Sequence, residues 1–181
     1  MACDPVGINQ DNESCDVSDG GIYQSYVTDF ANITSATFDA SGQITAIVMS
    51  GSGQWVKYVY DDDDTAFFNS EGERTGKKHV YNQSAFMKFE GITVAKIADV
   101  NAVVACCAGV WIHFLNSGIA IFQGLEDDGT GAIKRTKQTA KATGNVVSDT
   151  GENTDRVELT INSQCKTVHP TSLTAAAIEA L

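Results

Sequence analysis

The feature that most constrains the fold is a β-rich stretch over residues 54–90 that is interrupted by a charged excursion. Residues 54–60 and 79–89 are rich in aromatic and β-branched side chains, which is the composition of strands. In the first run, large apolar side chains alternate onto both faces of the strand, so both faces need cover. We therefore predict a long hairpin over residues 54–90, with these two runs as its arms.

The excursion, residues 61–78, separates the two arms. It begins with four consecutive aspartates, passes through two phenylalanines and returns through basic residues. A segment this long inside a compact domain is usually functional or disordered. Its paired phenylalanines argue against disorder, because disordered segments are poor in aromatic residues.

Short strands separated by turn residues make up most of the remaining chain. Residues 22–49 contain several such runs, and a turn at Asn116-Ser117-Gly118 joins two β-rich runs into a predicted hairpin over residues 110–122. Residues 132–143 are a cationic strand candidate, and residues 156–162 alternate as a half-buried strand. This pattern predicts a two-sheet β-sandwich or barrel.

One internal helix is predicted over residues 93–107. Val94, Ile97, Val100 or Asn101, and Val104 recur at helical spacing. The predicted fold class is therefore mainly β with one packed α-helix.

The predicted organisation is a single β domain with two flanking segments. Residues 1–20 are polar and form an amino-terminal arm, residues 21–168 form the domain, and residues 169–181 form a carboxyl-terminal tail or short helix with Ser172 or Thr174 as its cap. A chain of 181 residues is an ordinary single-domain size.

Charge limits the partners of the chain. It carries 23 acidic and 12 basic residues, a formal net charge of -11. Such a surface repels a phosphate backbone, which argues against ordinary nucleic-acid binding. It is compatible with a channel through which nucleic acid slides without binding. Solubility is the simpler explanation of the charge. Neither a run of membrane-spanning length nor a secretory leader is present, which predicts no membrane association and synthesis in a cytosol.

The residue types that carry catalysis or bind metals form no recognisable site. The adjacent aspartates at 61–64 lack the spacing of a calcium loop, and the cluster from Glu126 to Gly129 is a weak metal candidate. His79, His113 and His169 are interpreted as core or edge histidines. Without a nucleophile elbow, a phosphate loop or a dinucleotide fingerprint, we predict a non-enzyme without a cofactor.

In their order along the chain, these features resemble bacteriophage tail-tube proteins and related tail structural proteins. The resemblance is carried by the polar arm, the core opened by Gly20-Gly21-Ile22-Tyr23, the charged excursion, the single helix, the hairpin of residues 109–124, and the late segment with Thr143-Gly144 and the strand at 155–160. It spans most of residues 20–165 and lies in order and pattern rather than in a diagnostic motif.

The resemblance implies a tail-tube type of fold, with roughly orthogonal sheets, a flanking helix and a long extended hairpin. It implies a homo-hexameric ring that stacks into a tail tube in the virion, contacts other tail proteins and is synthesised in the host cytoplasm. The lumen would be a negatively charged conduit that DNA passes without specific binding. The excursion suits contacts with a neighbouring subunit, because its opposite charges can pair head to tail. The predicted contact residues between subunits and rings are Asp61, Asp62, Asp63, Asp64, Phe67, Phe68, Glu71, Glu73, Arg74, Lys77 and Lys78.

Alternatives remain open. A tail terminator or head-tail connector shares the fold and forms a ring without polymerising, and the tube of a contractile injection system is another relative. A monomeric carbohydrate-binding or adhesion β-sandwich belongs to a different class, and its mark would be an exposed aromatic platform, for which Trp55, Tyr58 and Tyr60 are candidates. Burial of these aromatic residues in the core is the simpler interpretation.

Overall fold

The structure is a computed structural model that describes residues 21–60, 66–75, 78–90, 93–106, 109–145 and 156–181. The described strands are β1 (Ile22–Asp29), β2 (Ile33–Phe38), β3 (Ile44–Met49), β4 (Val56–Val59), β5 (Ala66–Thr75), β6 (Lys78–Glu90), β7 (Gly109–Leu115), β8 (Ala120–Gln123), β9 (Leu125–Asp127), β10 (Ile133–Arg135), β11 (Lys137–Asn145), β12 (Arg156–Cys165) and β13 (His169–Thr171). The described helices are α1 (Val94–Cys106) and α2 (Ala175–Glu179). The predicted mainly-β fold with one long helix is confirmed. Neither described helix is long and apolar enough to cross a membrane.

The strands form a seven-stranded sheet, a four-stranded sheet and a two-stranded ribbon. The order is β2-β3-β13-β8-β7-β1-β4 in the first sheet and β11-β12-β6-β5 in the second, and β9 pairs with β10. Neighbouring strands are antiparallel except for β3 and β13, which are parallel. The described strands do not close into a barrel, so the architecture is sandwich-like.

Turn chemistry explains the two local hairpins of the larger sheet. β7 and β8 pair across a turn in which Gly118 has φ +82°, an angle that glycine adopts without strain. This pairing confirms the hairpin predicted over residues 110–122. β2 and β3 pair across a turn in which Asp39 Oδ1 accepts hydrogen bonds from the N–H groups of Ser41 and Gln43.

The predicted hairpin of residues 54–90 is wrong in its pairing. Its first arm is β4, which pairs with β1 in the seven-stranded sheet. Its second arm is β6, which pairs with β5, a strand that lies within the predicted excursion. β5 forms because buried or half-buried Ala66 and Phe68 alternate with exposed Phe67 and Asn69, as in a strand covered on one face.

Two clusters of buried apolar side chains join these layers. One lies between the two large sheets and includes Tyr58, Phe89 and Trp111. The other lies on the opposite face of the seven-stranded sheet and includes Ile112 and Phe122. By the described residues, the seven-stranded sheet is therefore covered on both faces and the four-stranded sheet on one.

Helix α1 packs on β11 and β12 at the end of the first cluster. Its buried side chains are Val100 and Val103, which are 1% and 6% exposed. Val94 and Ile97, which were predicted to lie on the packed face, are 87% and 39% exposed. The buried stripe therefore occupies only the second half of the helix.

Residues 169–181 were predicted to be a tail or short helix, and they contain both β13 and α2. β13 lies between β3 and β8 in the larger sheet. Thr174 caps α2, because its Oγ1 accepts a hydrogen bond from the N–H of Ala177 at 3.2 Å. Ile178, which is 1% exposed, anchors α2 in the second cluster.

Candidate assembly surface

The four-stranded sheet presents a polar face on the side away from the core. Strand register aligns its outward side chains into rows that cross all four strands. One row consists of Asn69, Ser84, Asn162 and Thr139. The adjacent row consists of Glu71, Asn82, Gln164 and Lys137. Amides and hydroxyls therefore dominate the middle of this face, which we call the polar face.

Hydrogen bonds connect neighbouring side chains on the polar face. Asn69 Nδ2 donates to Glu71 Oε1 at 3.1 Å, and Gln164 Nε2 donates to Asn82 Oδ1 at 3.0 Å. The two rows line an open groove of about 430 Å³. Each amide has further donor and acceptor capacity, so the groove can bind water or a polar ligand.

An aromatic pair lies next to the groove. The rings of Phe67 and Phe86 stack with centroids 5.0 Å apart and planes at 23°. Phe67 is 50% exposed. The same row continues through Thr160 to Lys141 on β11. The polar face therefore carries an apolar patch on the β5 side.

Charges of both signs occur on the polar face. The acidic residues include Glu71, Glu73 and Glu158, and the basic residues include Lys88, Lys137 and Lys141. Glu158 lies directly opposite Lys88 in the strand register. The described part of this face is therefore not uniformly negative.

The end of the β5–β6 hairpin projects beyond the sheet. β12 pairs with β6 only from Tyr81 onward, whereas β5 and β6 stay paired almost to their turn. The projecting pairs are Glu73↔Val80, Arg74↔His79 and Thr75↔Lys78. At about 3.4 Å per residue, this two-stranded arm extends roughly 10 Å past its neighbour.

The predicted contact residues fall into three groups. Those exposed on β5 and β6 are Phe67, Glu71, Glu73, Arg74 and Lys78. Those outside the described residues are Asp61, Asp62, Asp63, Asp64 and Lys77. Phe68 faces inward, with its ring centroid 5.5 Å from that of His113, so it packs between the sheets instead of on the exposed face.

His113 lies at the centre of a buried polar network between the two sheets. Gln123 Nε2 donates to Ile161 O at 3.1 Å, which leaves Gln123 Oε1 to accept from His113 Nε2 at 3.0 Å. His113 Nδ1 then accepts from Ser25 Oγ at 2.8 Å. Both ring nitrogens are satisfied in the neutral form. Burial lowers the pKa of His113 to about 4, although its hydrogen bond with Gln123 acts in the opposite direction.

The same network reaches the four-stranded sheet through two further side chains. Ser163 Oγ donates to Gln83 Oε1 at 2.9 Å, and Gln83 Nε2 donates to Phe122 O at 3.4 Å. Gln83 and Ser163 are 2% and 3% exposed. A buried polar group without a partner is costly, so this network favours one relative position of the sheets, and hence of the polar face.

The weak metal candidate at residues 126–129 is occupied by internal contacts. Glu126 accepts from Lys134 Nζ at 3.0 Å and from Lys166 N at 2.8 Å. Asp127 and Asp128 accept from N–H groups of their own loop. The hydrogen bond from Thr130 lowers the pKa of the Asp128 carboxyl. Across the described ranges, no group of three or more His, Cys, Asp or Glu side chains is arranged to hold a metal ion.

The aromatic platform proposed for a carbohydrate-binding module does not form from the residues named for it. Tyr58 and Tyr60 are buried in the core between the sheets. Trp55 is half-buried and packs against Phe122, with ring centroids 6.4 Å apart. On the polar face, exposed Phe67 instead stacks on half-buried Phe86.

Sequence reasoning missed most residues of the polar face. The alternation of β12 indicates that Asn162 and Gln164 face outward, and the cationic strand contains Lys137 and Lys141. What the sequence lacks is the order of the strands, which places these residues in common rows. Only the register of the folded chain joins β5, β6, β12 and β11.

Comparison with protein-family models, curated proteins and solved structures found no match to this chain. Functional inference therefore rests on the sheet, its polar face, its edges and the projecting arm.

Proposed function

We propose that this chain is a structural virion protein that assembles into rings stacked as a phage tail tube. The observation that carries the proposal is the four-stranded sheet with one polar face, two outer strands without a further described partner, and a projecting arm. The role proposed is assembly, without catalysis.

The sheet edges support head-to-tail association. Among the described strands, β5 and β11 each pair on one side only. An open edge is a template for another strand, and two different edges allow one copy to join the next in a repeating direction. Such contacts close into a ring when the rotation permits, and the resemblance to tail-tube proteins implies six copies.

The polar face supports a channel lining. In a ring whose four-stranded sheets continue edge to edge, each sheet has one face toward the ring axis and one face away from it. The covered face points away from the axis, toward the rest of its chain, and the polar face points to the axis. Amides and hydroxyls bind water, and the mixed charges lack the excess of Lys and Arg that grips phosphates. DNA would therefore pass without specific binding.

The arm supports contact between rings. It extends beyond the sheet along the strand direction, with exposed Glu73, Arg74 and Lys78 near its end. Charges of both signs on a projecting ribbon suit a complementary surface on the next ring. Other tail proteins would meet the same surface at the ends of the tube.

Sedimentation velocity over rising concentration, together with negative-stain imaging, tests the assembly proposal. We expect rings and stacked tubes. A variant in which residues 73–80 are replaced by a two-residue turn should keep the sheet and form rings that do not stack. Single rings from the unmodified chain would favour a terminator or connector, and a persistent monomer would refute the proposal.

A carbohydrate-binding or adhesion module is a second candidate, favoured by the Phe67–Phe86 pair beside the groove. Aromatic rings stack on sugar faces, and amides bind hydroxyl groups, so this combination fits a glycan. The test is a glycan-array screen with the unmodified chain and Phe67→Ala. Val48→Ala, at an exposed position of the other sheet, is the control. Binding that requires Phe67 in a monomeric chain would establish this alternative.

A further inference from the structure

The two edges of the four-stranded sheet carry opposite charges on the polar face. On the β5 edge the exposed charged side chains of that face are Glu71 and Glu73. On the β11 edge they are Lys137 and Lys141. This separation lies across the sheet, so the polar face of each copy has an acidic edge and a basic edge.

Strand register places these charges at the same positions along the strands. Glu71 and Lys137 are the two ends of one row, and Phe67 and Lys141 are the two ends of another. Successive strands are antiparallel, so β5 and β11 run in opposite directions. A rotation that brings β5 of one copy beside β11 of the next therefore gives an antiparallel pair.

We infer that a second copy of this chain pairs its β11 edge with β5, so that the rows continue from one copy to the next. Glu71 then contacts Lys137 of the adjacent copy. In the second row beyond it, past the row of Asn69 and Thr139, the Lys141 ammonium lies near the exposed Phe67 ring, which attracts a cation. This inference rests on the proposed assembly and names its lateral contact.

The Glu71–Lys137 pair is available only between copies. Within one chain three strand spacings separate them, roughly 14 Å, which exceeds the screening length of about 10 Å at 0.1 M salt. Each residue is exposed on its own edge. The opposite charges of the two edges therefore favour a second copy of this chain as the partner that binds each edge.

Charge exchange tests this contact. We expect Glu71→Lys alone and Lys137→Glu alone each to raise the concentration at half assembly by about tenfold, because every lateral contact then joins like charges. An equal mixture of the two variants should assemble as well as the unmodified chain, because alternating copies restore opposite charges at every contact. The double variant should also assemble.

Controls separate this contact from general charge effects and from folding. Thr45→Lys and Thr45→Glu change the charge at an exposed position on β3, and their mixture should match each variant alone. Circular dichroism should give unchanged melting temperatures for the edge variants. Two results would overturn the edge pairing but not the proposed assembly, provided that the unmodified chain assembles. One is a mixture of the two single variants that fails to assemble. The other is a single variant that assembles as well as the unmodified chain. A monomeric unmodified chain would overturn the proposed function and this inference together.

Discussion

Acidification should destabilise the folded chain through His113, the buried imidazole between the sheets. Its pKa is lowered from 6.5 to about 4, with burial as the main cause. The unfolded chain therefore binds a proton below pH 6.5 that the folded chain binds only near pH 4. The corresponding stability is fully present above pH 6.5 and is lost as the pH falls from 6.5 through about 4.

The magnitude follows from the difference between these two pKa values. At about 1.4 kcal/mol per pH unit, the titration of His113 contributes roughly 3 kcal/mol over this range. His113 is 0% exposed and its ring nitrogens already have partners, so water does not screen the effect. This is a large fraction of the 5–15 kcal/mol that stabilises a typical domain, roughly a fifth to three fifths.

Urea unfolding from pH 7.5 to 4.5 measures the effect, with tryptophan fluorescence as the probe. Trp111 stacks on His113 with ring centroids 5.9 Å apart, so it reports on this site. His113→Gln should be less stable at neutral pH but should lose less stability on acidification. The unmodified chain and His113→Gln share the same carboxylates, so the difference between their stability profiles against pH reports the contribution of His113. The matched control is His79→Gln, at an exposed position. Parallel profiles for the unmodified chain and His113→Gln would refute the reasoning.

Three further substitutions test packing and contacts by their effect on the melting temperature and the free energy of unfolding. Ile178→Ala should cost about 2–4 kcal/mol, because it leaves a cavity where α2 meets the second cluster. Glu126→Ala should cost about 1–3 kcal/mol, because it removes the partner of Lys134 and leaves a backbone N–H without an acceptor. Gly124→Ala should cost more than about 1 kcal/mol, because glycine has φ +99° there and the new Cβ would lie 2.7 Å from the backbone oxygen of Gly109.

Matched controls distinguish these explanations from general sensitivity to mutation. Val48→Ala on the exposed surface should cost less than about 0.5 kcal/mol. Exposed Glu73→Gln should likewise be nearly neutral. Gly129→Ala shares a positive φ of +93° but meets no atom within 4 Å, so it isolates the backbone strain. Equal losses at Gly124 and Gly129 would contradict the proposed clash.

Local signals in the sequence predicted the elements that depend on neighbouring residues. The β7–β8 hairpin follows from Gly118 in its turn, and α1 follows from helical spacing. Pairing between distant segments was not predictable in this way. The charges of residues 71–78 concealed the alternation of β5, and the aromatic content of β4 gave no information on whether its partner was β6 or β1. The polar face was missed because its rows depend on these distant pairings.

The position of β13 has a consequence for synthesis. β13 is the strand that links β2 and β3 to the rest of the seven-stranded sheet, and it follows every other described strand in the chain. During translation, the two parts of that sheet therefore remain unjoined until residues 169–171 emerge from the ribosome. The larger sheet is therefore completed late, because the pairing of β13 with β3 joins residues more than a hundred positions apart in the chain.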